Sequence, residues 1–449
     1  MMIPEMSLME GSIRKSMMWF AFPIFLGNLF QQLYNMADAI IVGNYAGDIA
    51  LAAVTSTGTL VFLFTGFFIG MYQGMGVVIA RYYGAKDEKS VKDAINTAVI
   101  FGALSGIVLL VCGVMFSRLI VELVGTPTEV YGQAVTYLRV FFVGSFFTAL
   151  YNTMCGICRA LGDSKRPLYY LVVASIVNVI LDFIFVGGFG MGVVGAALAT
   201  VLAQGISAVL SYYRLTHLED YSFEWKLMRD NFSANLLKQM ISIGLPSGIQ
   251  NSVIGFANVV VQASINSFGT VVMAGNGAYF KLQGLVFLPI ESFSMAITTF
   301  VSQNIGAGQI ERVRKGARFG VIFACSSAEI LGVIAILTAP FLIGMFGSGA
   351  DAVAVGVMKI YIDAIFYWFL AYAHSVSAVM RGAGHAKSPM FIMLGIWCVM
   401  RVIYIQCVMY FTNDVFYVFL AYPITWITSG VLFLLAYRKC MKGLSINKE

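Results

Sequence analysis

The 449-residue chain is 59% apolar and only 11% charged, with a net charge of +6; this balance excludes a soluble globular fold and places the chain among polytopic membrane proteins. The positive excess does not mark a nucleic-acid binder, because it lies in short loops between long apolar runs. Seven cysteines, an odd number lying mostly inside those runs, argue against a disulfide framework.

Twelve apolar runs follow in order, at about 16–42, 51–80, 93–116, 131–157, 167–187, 191–214, 236–265, 271–302, 316–340, 353–380, 389–411 and 414–438. At 1.5 Å per residue each can cross a hydrocarbon layer of about 30 Å. The first is too long for a cleavable signal and lacks a small-residue cleavage site, so it is expected to stay as a helix. Twenty-three lysines and arginines fall on one side: Arg14 and Lys15, the loops at 81–92, 159–166, 214–238, 312–318 and 381–387, and the tail from Arg438. Arg118 alone falls on the other. The positive-inside rule therefore puts both termini in the cytoplasm of a plasma-membrane protein and demands an even number of spans, which twelve satisfies.

Laid on itself, the chain repeats. "CRALGDSKRP" (158–167) returns as "MRGAGHAKSP" (380–389), and Gly84-Ala85 returns as Gly306-Ala307, each 222 residues on. Pro23 and Asn28 match Pro246 and Asn251 at 223. Six is an even number of spans, so both copies insert the same way: two parallel-repeat six-helix bundles in an all-α membrane protein. The expected division is an N-lobe at 1–214, a cytoplasmic linker at 215–235, and a C-lobe with a cytoplasmic tail at 236–449. A cavity between two such bundles, exposed alternately to each side by rocking, is the usual transporter design.

Carboxylates in apolar spans are expensive, so a retained one is expected to face a cavity or a partner. Asp38 lies five residues before Gly43, and Asp182 five before Gly187, on helices that rise to the outer side. Each is thus expected about 8 Å below that boundary. Asn178 is one turn deeper on the face of Asp182, and Thr200 comes about 12 Å down the sixth helix. Four oxygen-bearing groups from three helices can meet at this level. They suit a monovalent cation such as Na+, or a proton shared by the acids. The repeat carries Asn178, Asp182 and Thr200 to Met400, Tyr404 and Tyr422, and Asp38 to Val261. Cation coupling is therefore expected of the first bundle alone.

Gln31 and Tyr34 share a stripe of the first helix with Asp38, and Asn152 lies in the fourth; each can line a solute cavity or bond between helices. Cys155 and Cys158 form a CxxC with no second pair at zinc spacing and read as small buried thiols. In the second bundle, Lys281 and Glu291 are ten residues apart, too far off one helix face to pair. Lys359, Asp363 and Arg401 are placed near enough to helix ends to snorkel. Glu291 is a candidate cavity residue. His374, the repeat mate of Asn152, reads either as a titrating cavity group or as a satisfied buried histidine. No GxxxxGK[ST] loop is present, so uphill work must draw on an ion gradient.

The runs "LYNMADAIIVG", "RALGDSKRP…NVILDFIFVGGFGMGVVGAALAT" and "RGAGHAKSP" together resemble the multidrug and toxic compound extrusion (MATE) family, over essentially the whole chain. The resemblance implies a Na+- or H+-driven antiporter that exports amphiphilic, often cationic drugs, needs no cofactor, is not an enzyme and works as a monomer among membrane lipids. In the prokaryotic branch with an N-lobe cation site, the ligands match Asp38, Asn178, Asp182 and Thr200. Some relatives also carry an acid in the middle of the seventh helix, where this chain has Gln250, Asn251, Asn258 and Gln262. A second-lobe site of that kind is not expected. The alternative within transport is a lipid-linked precursor flippase of the same superfamily, which calls for more helices and a basic central cavity. A membrane enzyme or receptor would need a catalytic or metal cluster or a large soluble domain.

Overall fold

The computed structural model describes residues 7–123, 126–217, 232–346, 349–412 and 414–446. The connecting segment expected at 215–235 lies mostly outside these. The described chain is helical throughout: α1 (Ile13–Ala46), α2 (Asp48–Gly84), α3 (Glu88–Leu123), α4 (Thr128–Val143), α5 (Ser145–Ala160), α6 (Lys165–Asp182), α7 (Gly192–Thr216), α8 (Ala234–Asn266), α9 (Thr270–Gly306), α10 (Ile310–Gly344), α11 (Ala350–Asp363), α12 (Tyr367–Gly382), α13 (Lys387–Met393), α14 (Arg401–Phe411), α15 (Val415–Phe419) and α16 (Ala421–Ile446). Joining α4 to α5, α11 to α12, α13 to α14 and α15 to α16 gives the twelve passes. Among the described residues eight are long and apolar enough to cross a membrane, or nine with α4 and α5, which bend by 47°. α1 and α8 fall outside this set and carry polar groups inside their spans, the Asp38 stripe and the run from Gln250 to Gln262.

The repeat is written into the helix ends. α2 and α9, α3 and α10, α4 and α11, and α6 and α13 each begin 222 residues apart. Three backbone positions with positive φ recur at the same offset: Gly47 and Gly269, Lys86 and Gly308, Gly162 and Gly384. Gly47 and Gly269 (φ 86° and 95°, ψ 175° and 177°) turn the chain into α2 and α9 in a conformation open essentially to glycine alone, costing other residues about 1–3 kcal/mol.

Two compact units result, Phe22–Gly248 and Ser7–Ala21 with Ile249–Glu449. The division falls within two helices rather than in the connecting segment. α1 belongs to the second unit as far as Ala21 and to the first from Phe22; α8 belongs to the first unit as far as Gly248. Each change comes within three residues of a helix-interior proline, Pro23 or Pro246. Proline removes one ladder hydrogen bond and bends a helix.

In the first unit, Gly70 and Gly74 of α2 face Gly244 and Gly248 of α8. A Cβ built on any of the four would run into the opposite backbone. These are two GxxxG pairs, the small-residue arrangement that lets membrane helices touch main chain to main chain. Ile41, Val42, Val121, Leu138, Phe142 and Ala196 fill the adjoining core. Cys155 and Cys158 are buried free thiols, as their spacing suggested.

In the second unit, Arg312 and Asn304 hold the segment before α1. Arg312 donates to the carbonyls of Leu8, Glu10 and Gly11, and Asn304 Nδ2 donates to that of Leu8 (3.2 Å). Large apolar side chains such as Leu337, Phe341, Tyr410 and Phe411 are more than two-thirds exposed, which suits lipid rather than water.

Candidate cation site

In the first unit α6 ends as a regular helix at Asp182 and continues as a π-helical turn, Phe183–Gly188. Such turns recur where a side chain must be re-aimed for function. Asn178 and Asp182, one turn apart on α6, are both buried. α1 brings Asp38 against Asp182, with the two carboxyl groups within hydrogen-bonding reach of each other. A bond between two carboxyls needs one proton, since an ionised carboxylate can only accept.

The Asn178 amide nitrogen donates to Asp182 Oδ2 (3.3 Å) and its oxygen accepts from the Thr200 backbone N–H (3.2 Å). The Thr200 hydroxyl itself donates to the Ala196 carbonyl (3.2 Å), which turns its lone pairs away from its own helix. Asn178, Asp182 and Thr200 therefore form one connected group on α6 and α7, and Asp38 joins it from α1.

Two oxygens are left over. Asp38 Oδ1 and Asp182 Oδ1 are buried and accept no hydrogen bond. An orphaned buried acceptor costs about 1–3 kcal/mol, more when charged. A small cation or a proton would satisfy both, and the donor set of carboxylate, amide and hydroxyl oxygens is the set that hard cations take. A cavity of about 10 Å³ lies beside the group, lined by Tyr34, Ser175, Asn178, Thr200 and Gln204 among others. That is the room of a single water-sized guest.

The depth differs from expectation. α1 does not stop at Gly43 but runs to Ala46, so Asp38 lies eight residues, about 12 Å, below the helix end. Glycine is tolerated inside a membrane helix, and Gly43 leaves room for Leu51 of α2, 3.2 Å from where its Cβ would be.

Among the cavity candidates of the first unit, Tyr34 and Gln31 adjoin the site. They hydrogen-bond to each other, and Tyr34 stands beside Asp38 and Asp182. Tyr137 of α4, which the sequence reading passed over, stands beside Tyr34 and both acids. Asn152 is turned to its own helix, with Nδ2 donating to the Thr148 carbonyl (2.8 Å).

In the second unit, Lys359, Asp363 and Arg401 do not snorkel: they are 0%, 0% and 2% exposed. Lys359 Nζ donates to Asn276 Oδ1 (2.6 Å) and sits 4.5–4.7 Å from the rings of Tyr279, Phe280, Phe419 and Tyr422. Asp363 Oδ2 accepts from the Tyr279 hydroxyl (2.6 Å). Arg401 donates to Thr425 Oγ1 through Nε and Nη2 and stacks on Tyr422. Desolvated cations are held this way by ring quadrupoles, at about 2 kcal/mol or more per good contact. The one available signal was the i, i+4 spacing of Lys359 and Asp363; the cage itself comes from α9, α15 and α16, which spacing along α11 cannot reveal.

At the repeat offset Lys359 corresponds to Tyr137, and Tyr422 to Thr200. Where the first unit sets two carboxyl groups side by side, the second sets ammonium and guanidinium groups near a buried carboxylate, Asp363, whose Oδ1 is also buried without a hydrogen bond. His374 is packed between the rings of Phe287 and Trp397, with centroids at 4.9 and 5.4 Å. Glu291 is half-buried on α9, two residues beyond Pro289. Lys281 lies over the Phe346 ring at 5.2 Å.

The MatE family model matches residues 23–184 and 246–405, one match in each copy of the repeat. The chain is 32% identical over 377 residues to the probable multidrug resistance protein YpnP of Bacillus subtilis, covering 84% of each. It is 28% identical over 446 residues to the probable multidrug resistance protein YoeA of the same organism, covering 98% of this chain and 96% of that one. Among solved structures, a MATE crystallised in complex with MaL6 superposes with a TM-score of 0.91, covering 99% of this chain and all of that one at 22% identity. At that identity the likeness speaks for the fold.

Proposed function

Since the chain belongs to the MatE family of membrane transporters, we propose that it is a cation-coupled antiporter, exporting small amphiphilic and mostly cationic compounds in exchange for Na+ or protons. The observation that carries this reading is the pair of orphaned carboxylate oxygens on Asp38 and Asp182, backed by Asn178 and Thr200. A buried acid pair satisfied only by an incoming cation is a site that can be charged and discharged, which coupling requires. The relatives' names as probable multidrug resistance proteins support the class of cargo.

The cation enters from outside, binds between Asp38 and Asp182, and removes the repulsion between them. Asn178 donates to Asp182 and holds that carboxyl group in place against Thr200. Gln31 and Tyr34 continue the polar stripe along α1 and are the residues we assign to solute contact. Asn152, Glu291 and His374 are secondary candidates for that role. Both termini are cytoplasmic, the membrane is the plasma membrane, and a single chain suffices.

Asp38→Asn tests the reading. It removes the charge at constant shape, so efflux driven by an imposed gradient should stop while insertion and thermal stability are kept. Normal pumping by a well-folded Asp38→Asn protein would overturn the mechanism.

A further inference from the structure

The second unit carries a groove that the transport reading does not use. It has a volume of about 430 Å³ and lies between α10, α12 and α16 at the end bearing the basic loops. Arg314, Arg318 and Lys442 face it, with no carboxylate in the lining.

Polarity changes along its length. Arg314 and Arg318 occupy the first turns of α10, and Ile322, one turn further into the span, is aliphatic. On α12, Val376 and Tyr372 line the groove well inside the helix, and Tyr437 does so on α16. A ligand fitting both ends has an anionic head by the loops and an apolar tail along the helices.

General enrichment of basic residues on one side of the membrane does not account for this, because the first repeat carries basic residues on the same side without this arrangement of side chains in its sequence. At the repeat offset, Arg318 and Lys442 correspond to Asn96 and Asp220, and Tyr372 and Tyr437 to Leu150 and Leu215. Only Arg314 keeps a cationic mate, Lys92.

We propose that this groove is a binding site for one anionic phospholipid, its phosphate held by Arg314, Arg318 and Lys442 and an acyl chain laid against Ile322 and Val376. Cationic pockets between spans take lipid head groups in this way. The inference is independent of cation coupling at Asp38 and Asp182.

Native mass spectrometry of the full chain, released from mixed phosphatidylglycerol and phosphatidylcholine micelles, tests it. One phosphatidylglycerol should be retained per chain in preference to phosphatidylcholine. Retention should fall at least about tenfold in the Arg314→Gln, Arg318→Gln, Lys442→Gln triple variant. Lys86→Gln, Lys89→Gln, Lys92→Gln, made together in the first unit, should leave it unchanged. Millimolar inorganic phosphate should not compete, whereas dihexanoyl-phosphatidylglycerol should. These side chains lie at helix ends, so the variants should fold; should the triple variant not be monodisperse, Lys442→Glu alone gives the same reading. Equal retention of both lipids, equal loss in the first-unit variant, retention unchanged by Lys442→Glu, or displacement by phosphate would each overturn the proposal.

Discussion

Asp38 and Asp182 hold their carboxyl groups within hydrogen-bonding reach of each other, each with one buried oxygen unsatisfied, so on the proposed reading a proton and a metal cation compete there. A proton on the pair displaces Na+, so Na+ affinity should fall as the pH is lowered and rise again on return. Equilibrium binding of radioactive Na+ to the purified protein measures this, and the pH dependence should vanish in Asp38→Asn. Lys359 makes the opposite case, a resident cation enclosed by four rings and an amide. Lys359→Met should lower stability by about 2 kcal/mol or more through lost cation–π contact and leave Asp363 without a nearby ammonium. Thermal unfolding followed by tryptophan fluorescence reads this as a reduced midpoint. Asn178, Asp182 and Thr200 were legible in the sequence as polar groups at a countable distance from a loop, and Asp38 as a carboxylate in an apolar run, although its depth was miscounted because α1 runs past Gly43 to Ala46. Lys359, Asp363 and Arg401 were misplaced because distance from a loop does not reveal what neighbouring helices build around a side chain.

The helices show where counting residues stops working. Their order and their 222-residue spacing follow from apolar runs and loop motifs, and four starts keep that spacing to the residue. The outer end of α1 does not follow, since a glycine in a membrane helix can be either a terminus or a packing site, and Gly43 is the latter. The π-turn after Asp182 leaves no mark in an apolar sequence either. The GxxxG pairs of α2 and α8 give the clearest mutational prediction. Gly74→Val forces a branched side chain into the Gly244 backbone and should cost at least the 1–3 kcal/mol of overpacking. Gly277→Ala on α9 meets nothing within 4 Å and should be neutral or slightly stabilising. Size-exclusion profiles and thermal midpoints of the two variants separate close packing from glycine content.

For the whole molecule, the two repeats have diverged in their buried charges. The first unit sets two carboxyl groups against each other with no cation among the described residues beside them, whereas the second buries Lys359 and Arg401 near a buried carboxylate, Asp363. On the proposed reading the first unit is the one that takes up an external cation, and its occupancy drives export. Efflux of a fluorescent cationic dye from vesicles, with Na+ and proton gradients imposed separately, tests this most directly. At least one inward gradient should drive dye out in the wild type, and neither should in Asp38→Asn. Equal dye movement with and without both gradients, or undiminished gradient-driven movement in Asp38→Asn, would contradict it.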